Sequence, residues 1–397
     1  MPILEIFLGI ALLGTVSSAV FLGLTLLGVL KFRKGARRTL APTSPVTVLP
    51  PVSLLKPVHG LEAQLEKNLE SFFHQEYSGF EVLFGADEAD DPALEVVRAV
   101  CARYPHIPSR IVVHGKPPWP NPQTYCLHRL AEVAQYDILV ASDSDVEVGP
   151  HYLRDVVAPL LDPKVGMVTC LYRGKNVGDF WSSMSALYMS VEEPAGVLVA
   201  NLLEGMKFGL GPTIALRKKA LTQVGGYAAF PDYSANDFIL GNLLHKAGYE
   251  VVLSGHIIDH IVNQSTFRRM WQNQLRWSIT ARYCRPKGFA GMGLIFAMPY
   301  GMLGLLAGIL LGRPLLGASL FALAAINRLV EAWGVGWIVN RDREVLRKLL
   351  LYPLRDLLGF AVWCASYMGG RIAWRDSRYE LSGEHMVLRQ TRGAGNR

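Results

Sequence analysis

The sequence predicts an α/β protein whose mostly parallel sheet is carried between membrane segments, and three observations predict it. From Val52 onward, short apolar and β-branched runs alternate with helical patterns, the signature of βαβ units. One such run, in YDILVASDSD at 136–145, ends directly in Asp143 and Asp145, at the strand end where open α/β sheets bind ligands. Residues 6–30 and 289–312 carry no charge, and at about 1.5 Å of rise per residue each is long enough to cross a bilayer core.

Taken in order, residues 1–30 read as a transmembrane anchor. The basic run KFRKGARR at 31–38 follows the apolar stretch instead of preceding it, the reverse of a cleaved signal peptide. The positive-inside rule then sets that run, and the middle of the chain, in the cytoplasm, so the expected location is the inner (cytoplasmic) membrane, multi-pass. Residues 31–51 form a basic, Pro-rich linker, because APTSPVTVLPP precludes a continuous helix.

The α/β domain is expected over 52–264. Its strands are VSLLK, FEVLFG, RIVVH, DILVAS, VGMVTCLY, GPTIALR and EVVLS. Helices are expected near Leu61 to Phe73, Ala93 to Tyr104, Thr124 to Ala134, Tyr152 to Leu161 and Ala235 to Lys246, with a short one ending at Gly225-Gly226. Residues 173–210 read as less regular.

Residues 265–287 read as an amphipathic interface helix, with Phe267, Met270, Trp271 and Trp277 at helical spacing among arginines. Residues 288–373 then hold two membrane spans, around 289–312 and 314–339, with Arg328 and Glu331 three apart and expected to pair. The run Leu357 to Gly370 is short for a span and reads as a re-entrant helix, which leaves 374–397 as a cytoplasmic tail.

Half of the 397 residues are hydrophobic and 18% are charged, more apolar than a typical soluble protein. The net charge of +7, from 40 basic and 33 acidic residues, is accounted for by attraction to anionic headgroups beside the apolar segments. No basic stripe interleaved with exposed aromatics is evident, so nucleic acid is not an expected partner. Five scattered cysteines form no metal spacing and fit reduced thiols.

The chemistry concentrates in four places. Asp143 and Asp145 present oxygen donors for a hard divalent cation that can bridge a diphosphate, which points to a nucleotide-sugar site. In GADEADDP at 85–92, Asp87, Glu88, Asp90 or Asp91 can accept from a nucleobase or ribose, although Asp90-Asp91-Pro92 is equally a helix-start signal. In SANDFILG at 234–241, Asp237 opens a helix and can be aimed into a cleft as a base, or else Asn236 or Asp237 caps that helix. The helix at 266–287 can aim Arg276 at a diphosphate or serve as plain lipid-surface anchoring.

The acidic cluster before DDP, Asn121-Pro122, DSD, GPTIALR with its following GG, ANDFILG and LRW, in that order, resemble family 2-type glycosyltransferases of the GT-A fold. Within them the set is most similar to the ceramide glucosyltransferase group, which includes bacterial ceramide and hopanoid-associated lipid glycosyltransferases. The resemblance covers roughly residues 50–290 and the membrane segments on either side. It implies a nucleotide-contacting acid among Asp87 to Asp91, Asp143 and Asp145 as the metal and diphosphate site, and Asp237 as general base. It also implies that Arg276 and Trp277 end a (Q/R)xxRW box. The chain departs from the pattern at Asn273, where the box begins with Gln or Arg, and at Gln123, where the group often carries Lys.

The reaction this resemblance implies is an inverting transfer, dependent on Mg²⁺ or Mn²⁺, of a sugar from a UDP-sugar to a lipid hydroxyl. Glucose onto a ceramide-like lipid leads, and GlcNAc onto a hopanoid or other lipid polyol comes next. A processive polysaccharide synthase would share these acids but needs more spans. A non-catalytic lipid-binding scaffold would tolerate Asn at Asp143 and Asp237.

Overall fold

The computed structural model describes residues 1–39, 49–374 and 377–391. The Pro-rich linker expected at 41–51 lies outside the described residues except for 49–51, as does the end of the tail from 392. The described chain divides into two compact units, one formed by 34–177, 204–263 and 379–397, the other by 1–33, 178–203 and 264–378.

The first unit is the α/β unit. Its strands are β1 (Val52–Pro57), β2 (Phe80–Ala86), β3 (Ser109–Val113), β4 (Ile138–Ala141), β5 (Val146–Glu147), β6 (Val165–Asn176), β7 (Ile214–Arg217) and β8 (Glu250–Val262). They form one sheet in the order β3-β2-β1-β4-β7-β6-β8-β5. β3, β2, β1 and β4 run parallel, as the βαβ reading expects, with Leu54 opposite both Val82 and Val140. β6 and β8 are also parallel, whereas β7 is antiparallel to both β4 and β6, and β5 is antiparallel to β8.

The sheet is therefore mixed and mostly parallel. β1 and β2 are buried at every position, as strands covered on both faces must be, and their near-continuous apolar runs reflect it. One core joins β1, β2, β4 and β6 to the helices Leu65–Ser71, Ala93–Arg103 and Tyr152–Val157, through Leu69, Phe72, Val97 and Val156.

The second unit is largely helical, with the strand Arg371–Trp374 near its end. Among the described residues, four helical stretches, Pro2–Ala36, Pro286–Leu310, Pro314–Val339 and Leu349–Ser366, are long and apolar enough to cross a membrane by length and composition. The helices Met298–Leu310 and Pro314–Glu331 pack through small residues: a Cβ on Gly308 would meet the Gly317 backbone at 2.7 Å, so only glycine permits that approach.

Four features differ from the sequence reading. The first helix runs on through the start of the expected linker to Thr39, and the expected tail carries the strands Ser377–Ser382 and His385–Thr391. Residues 178–203, expected inside the α/β domain as irregular chain, are helical over Phe180–Leu187 and Glu193–Leu203 with a π-turn between, and they belong to the helical unit. Buried Ser182, Ser185 and Ser190, which blur the apolar pattern, are satisfied by Gln264 and Asp342. The last apolar stretch begins at Leu349 and is long enough for a span, because it includes Arg355 and Asp356, whose charges are met inside the unit.

There Arg328 bridges Glu331 at 2.7 Å, the expected pair, and also Asp356 at 3.2 Å. Asp356 in turn accepts from the backbone N–H groups of Ala297 and Met298, at the start of the helix Met298–Leu310, and Tyr352 donates to Glu331.

Candidate active site

The DSD loop leaves β4 at Ser142 and is held by its own carbonyls. Lys56 Nζ, from the end of β1, donates to the Asp143 carbonyl at 2.5 Å; Asn68 donates to that of Ser144 at 3.3 Å; Ile261 N–H donates to that of Asp145 at 2.8 Å. With the backbone fixed from three elements, the two aspartate side chains are preorganised at the strand ends.

Gln123, at the start of the helix Pro122–Val133, donates to Asp143 Oδ1 at 2.6 Å. Asp145 faces His260 of β8 at 3.6 Å. Burial pushes the Asp143 carboxyl above the ordinary carboxylate range, and the negative charge of Asp145 pushes the same way, against His260 and Lys56. Lys56 is fully buried with its ammonium 3.6 Å from the Phe72 ring centre. Burial lowers it from the usual lysine value to about 7, against the pull of Asp143 and Asp145.

Asp237 lies in the first turn of the helix Asn236–Lys246. Its Oδ1 accepts from the Phe238 N–H at 2.8 Å, while the capping residue Ala235 supplies no side-chain cap. Burial raises the Asp237 carboxyl, and hydrogen bonds from the Phe238 and Gly211 backbone only partly offset that. A Cβ on Gly211 would lie 3.2 Å from Asp237 Oδ2 and 4.0 Å from Asp143 Oδ2, so this glycine separates the two carboxylates. They line one recess with Pro57, Gln123, Gly211 and Asn236.

The loop before Asp237 is fastened at both sides. Asn121 donates to the Tyr233 carbonyl at 2.7 Å and its N–H bonds the Pro231 carbonyl, and the C-terminal strand His385–Thr391 bonds back through Met386 N to Asp232 O.

The acidic cluster at 87–91 divides by use. Asp91 is drawn into structure, accepting from Gly60 N–H at 2.9 Å and Ala93 N–H at 2.8 Å with His59 at 3.4 Å, which holds the helix start. Asp87 retains partial exposure beside His114 at 3.6 Å. Arg276, Trp277 and Asn273 lie on the helix Phe267–Cys284 in the helical unit. Trp277 stacks on Tyr188 with ring centres 5.8 Å apart, and the Arg276 guanidinium lies 5.6 Å from Trp277 and 5.8 Å from Trp374.

Sequence pattern alone does not single out Lys56 or Asn68. The signal for Lys56 is a lone cation closing an otherwise apolar strand just before a proline, at the ligand-binding end of a parallel sheet.

Among the described residues no three His, Cys, Asp or Glu side chains converge on a metal position. Asp143 and Asp145, one residue apart on the DSD loop and close enough for the charge of one to raise the other, nonetheless suit Mg²⁺ or Mn²⁺, which take one or two protein carboxylates and complete their shell with phosphate oxygens and water. The residues present fit such an ion.

Residues 14–387 match the family model described as Glycosyl transferase family 21. Ceramide glucosyltransferase 1 of Caenorhabditis elegans is 30% identical over 213 residues, covering 53% of this chain and 46% of that protein. A ceramide glucosyltransferase of Komagataella phaffii is 33% identical over 101 residues, covering 24% and 20%. The chain spans about half the length of the first of these relatives. Among solved structures, the mannosyltransferase PcManGT of Pyrobaculum calidifontis, in complex with GDP-Man and Mn²⁺, is 16% identical with a TM-score of 0.48, covering 88% of this chain and 98% of that one. Glucosyl-3-phosphoglycerate synthase of Mycobacterium tuberculosis, with Mg²⁺ and UDP, is 16% identical with a TM-score of 0.34, covering 57% and 78%.

Proposed function

Because the chain belongs to glycosyl transferase family 21, we propose that it moves a sugar, glucose before others, from a UDP-sugar to the hydroxyl of a ceramide-like membrane lipid with inversion at the sugar's C1. The observation that carries this reading is the pair of carboxylates, Asp143 and Asp237, on either side of Gly211 in one recess. The names of the curated relatives support ceramide as the acceptor.

In this GT-A-type reading Asp237 is the general base. The lipid oxygen forms its bond to C1 as the bond from C1 to the diphosphate breaks, and the hydroxyl proton passes to Asp237. Its burial helps, since a carboxylate raised above its ordinary value is a stronger base. Asp143 and Asp145 would hold Mg²⁺ or Mn²⁺, and such an ion supplies positive charge to the departing diphosphate. Lys56 and Gln123 fix Asp143 on its backbone and carboxylate sides.

Asp87 is the acid we assign to the nucleotide, because Asp91 is bonded to Gly60 and Ala93. Arg276, with Trp277 and Asn273, is assigned to the leaving diphosphate as the end of the helix-borne box. The helix Pro2–Ala36, apolar up to Leu30 and basic from Lys31, supports an inner-membrane protein with its α/β unit in the cytoplasm.

The test is release of UDP by detergent-purified protein with UDP-glucose or UDP-GlcNAc, Mn²⁺ or EDTA, and with or without ceramide. Metal-dependent release that requires ceramide and favours UDP-glucose is expected. Release only with UDP-GlcNAc and a polyol lipid would move the assignment to that donor and acceptor. An absence of lipid-dependent release with every pair would overturn it.

A further inference from the structure

The helix that carries Asp237 begins after Ala235, which offers no capping side chain, so its approach, Pro231 to Ser234, takes its position from distant parts of the chain. On one side stands the buried Asn121. Its N–H donates to the Pro231 carbonyl at 3.1 Å and its side-chain amide to that of Tyr233 at 2.7 Å. The same side chain accepts from Thr124 N–H at 3.0 Å, which caps the helix bearing Gln123.

On the other side stands the C-terminal hairpin. Its strands Ser377–Ser382 and His385–Thr391 are joined by the turn Gly383-Glu384, where Gly383 takes a φ of 61° that suits glycine in a tight hairpin. Ser234 N–H donates to the Glu384 carbonyl at 3.0 Å and Met386 N–H to that of Asp232 at 2.6 Å. Tyr233 and His385 therefore face each other as an antiparallel pair without hydrogen bonds between themselves, the kind whose side chains come closest. Their ring centres lie 4.4 Å apart, and His385 Nδ1 donates to Asp232 Oδ2 at 3.0 Å. Every residue in this arrangement belongs to the α/β unit.

An exposed pair such as His385 and Asp232 contributes little to global stability, so its consequence is local. The contact acts on the residues just before Asn236 and Asp237, both of which line the recess with Asp143. We propose that the C-terminal hairpin turn is a strap that sets the entry of the Asp237 helix, with His385 as a positioning residue. It presses Asp232 and Tyr233 toward Asn121 and so holds Asp237 in register with Asp143. Asp237 is also tied through its own carbonyl to Gly209 N–H at 3.2 Å, so the strap refines the aim of the carboxylate and does not create the site. The role in turnover rests on Asp237 being the base, as proposed above.

The test uses the full chain in detergent and two readouts. Hydrogen exchange of residues 231–238, followed by mass spectrometry, reads the loop; UDP release with ceramide reads the chemistry. His385→Ala removes the ring and the donor, and His385→Asn returns a donor near the Nδ1 position. Gly383→Val touches none of these side chains, since a Cβ there meets nothing within 4 Å, but it forces a β-branched residue into a positive φ.

His385→Ala and Gly383→Val are expected to speed exchange at 231–238 at least about fivefold, with the helix Leu65–Ser71 unchanged. Their kcat should fall about tenfold with KM for UDP-glucose within about twofold, since a shift well under 1 Å suffices for such a loss. His385→Asn should recover most of both. Unchanged exchange at 231–238, a rise spread evenly over the α/β unit, or local loosening with wild-type kcat overturns the proposal. An Asp237→Asn variant with full turnover would sink the base reading alone, with exchange at 231–238 still the measure of the strap.

Discussion

Asp237→Asn separates base from scaffold. Asparagine keeps the volume and can keep Oδ1 on the Phe238 N–H, so the first turn of the helix should survive. The amide then turns toward the Gly211 N–H, a donor facing a donor, which costs about 1–3 kcal/mol if nothing relaxes. Against this, the substitution removes a buried carboxylate whose charge desolvation opposes.

The sign follows from linkage. The folded carboxyl holds its proton more tightly than the unfolded one, so wild type loses stability as pH rises from the unfolded value of about 4 through the raised folded value. The variant does not, so its Tm relative to wild type should be more favourable at pH 7 than at the acid edge. Chemistry behaves oppositely. Loss of a positioned base costs about 10²–10⁴ in kcat, or about 3–5 kcal/mol of barrier at about 1.4 kcal/mol per tenfold.

The assay is steady-state UDP release with ceramide, beside thermal unfolding of the same samples. In wild type, activity should fall as pH drops through the raised Asp237 value, and that acid limb should be absent from the variant's residual rate. A variant retaining kcat within tenfold of wild type would refute the base. A large fall in Tm with the loss would make Asp237 structural.

Three further substitutions probe the surrounding construction. Lys56→Met keeps the buried stem but drops the bond to the Asp143 carbonyl; kcat/KM should fall at least about tenfold with stability within about 1–2 kcal/mol of wild type, since a buried ammonium is also removed, and steady-state kinetics beside unfolding checks both. Gly211→Ala sets a methyl 3.2 Å from Asp237 Oδ2, and a displacement of that size should lower kcat by about 10² while the protein stays folded, as kinetics and circular dichroism would register. Arg328→Met strands Glu331 and Asp356 without their cation, so unfolding in detergent should show a loss of about 3–5 kcal/mol, against about 0.5 kcal/mol or less for the exposed Arg347→Met control.

How much was legible depended on whether the determining contacts were local. The parallel half of the sheet was readable because β1, β2 and β4 are apolar runs separated by helical periodicity. The antiparallel insertion of β7 between β4 and β6 was not, because strand direction there is decided by where the chain returns and not by its pattern.

The DSD pair and Asp237 stood out as acids at element ends. Their convergence across Gly211 is a tertiary fact with no spacing to announce it. Asp91 fitted two readings, and only the Gly60 bond from a distant loop shows what it holds. The helices between 180 and 203 were missed because buried serines break an apolar face, and their partners, Gln264 and Asp342, are far along the chain.

Direct displacement of UDP by a lipid hydroxyl fixes the anomeric form of the product. Ceramide incubated with UDP-glucose and the wild-type protein should give a lipid carrying a single hexose, with the large proton coupling of a β-glucoside by NMR. An α-linked product would contradict single displacement with Asp237 as base. A polymeric product, or none from any UDP-sugar, would contradict lipid glycosylation itself.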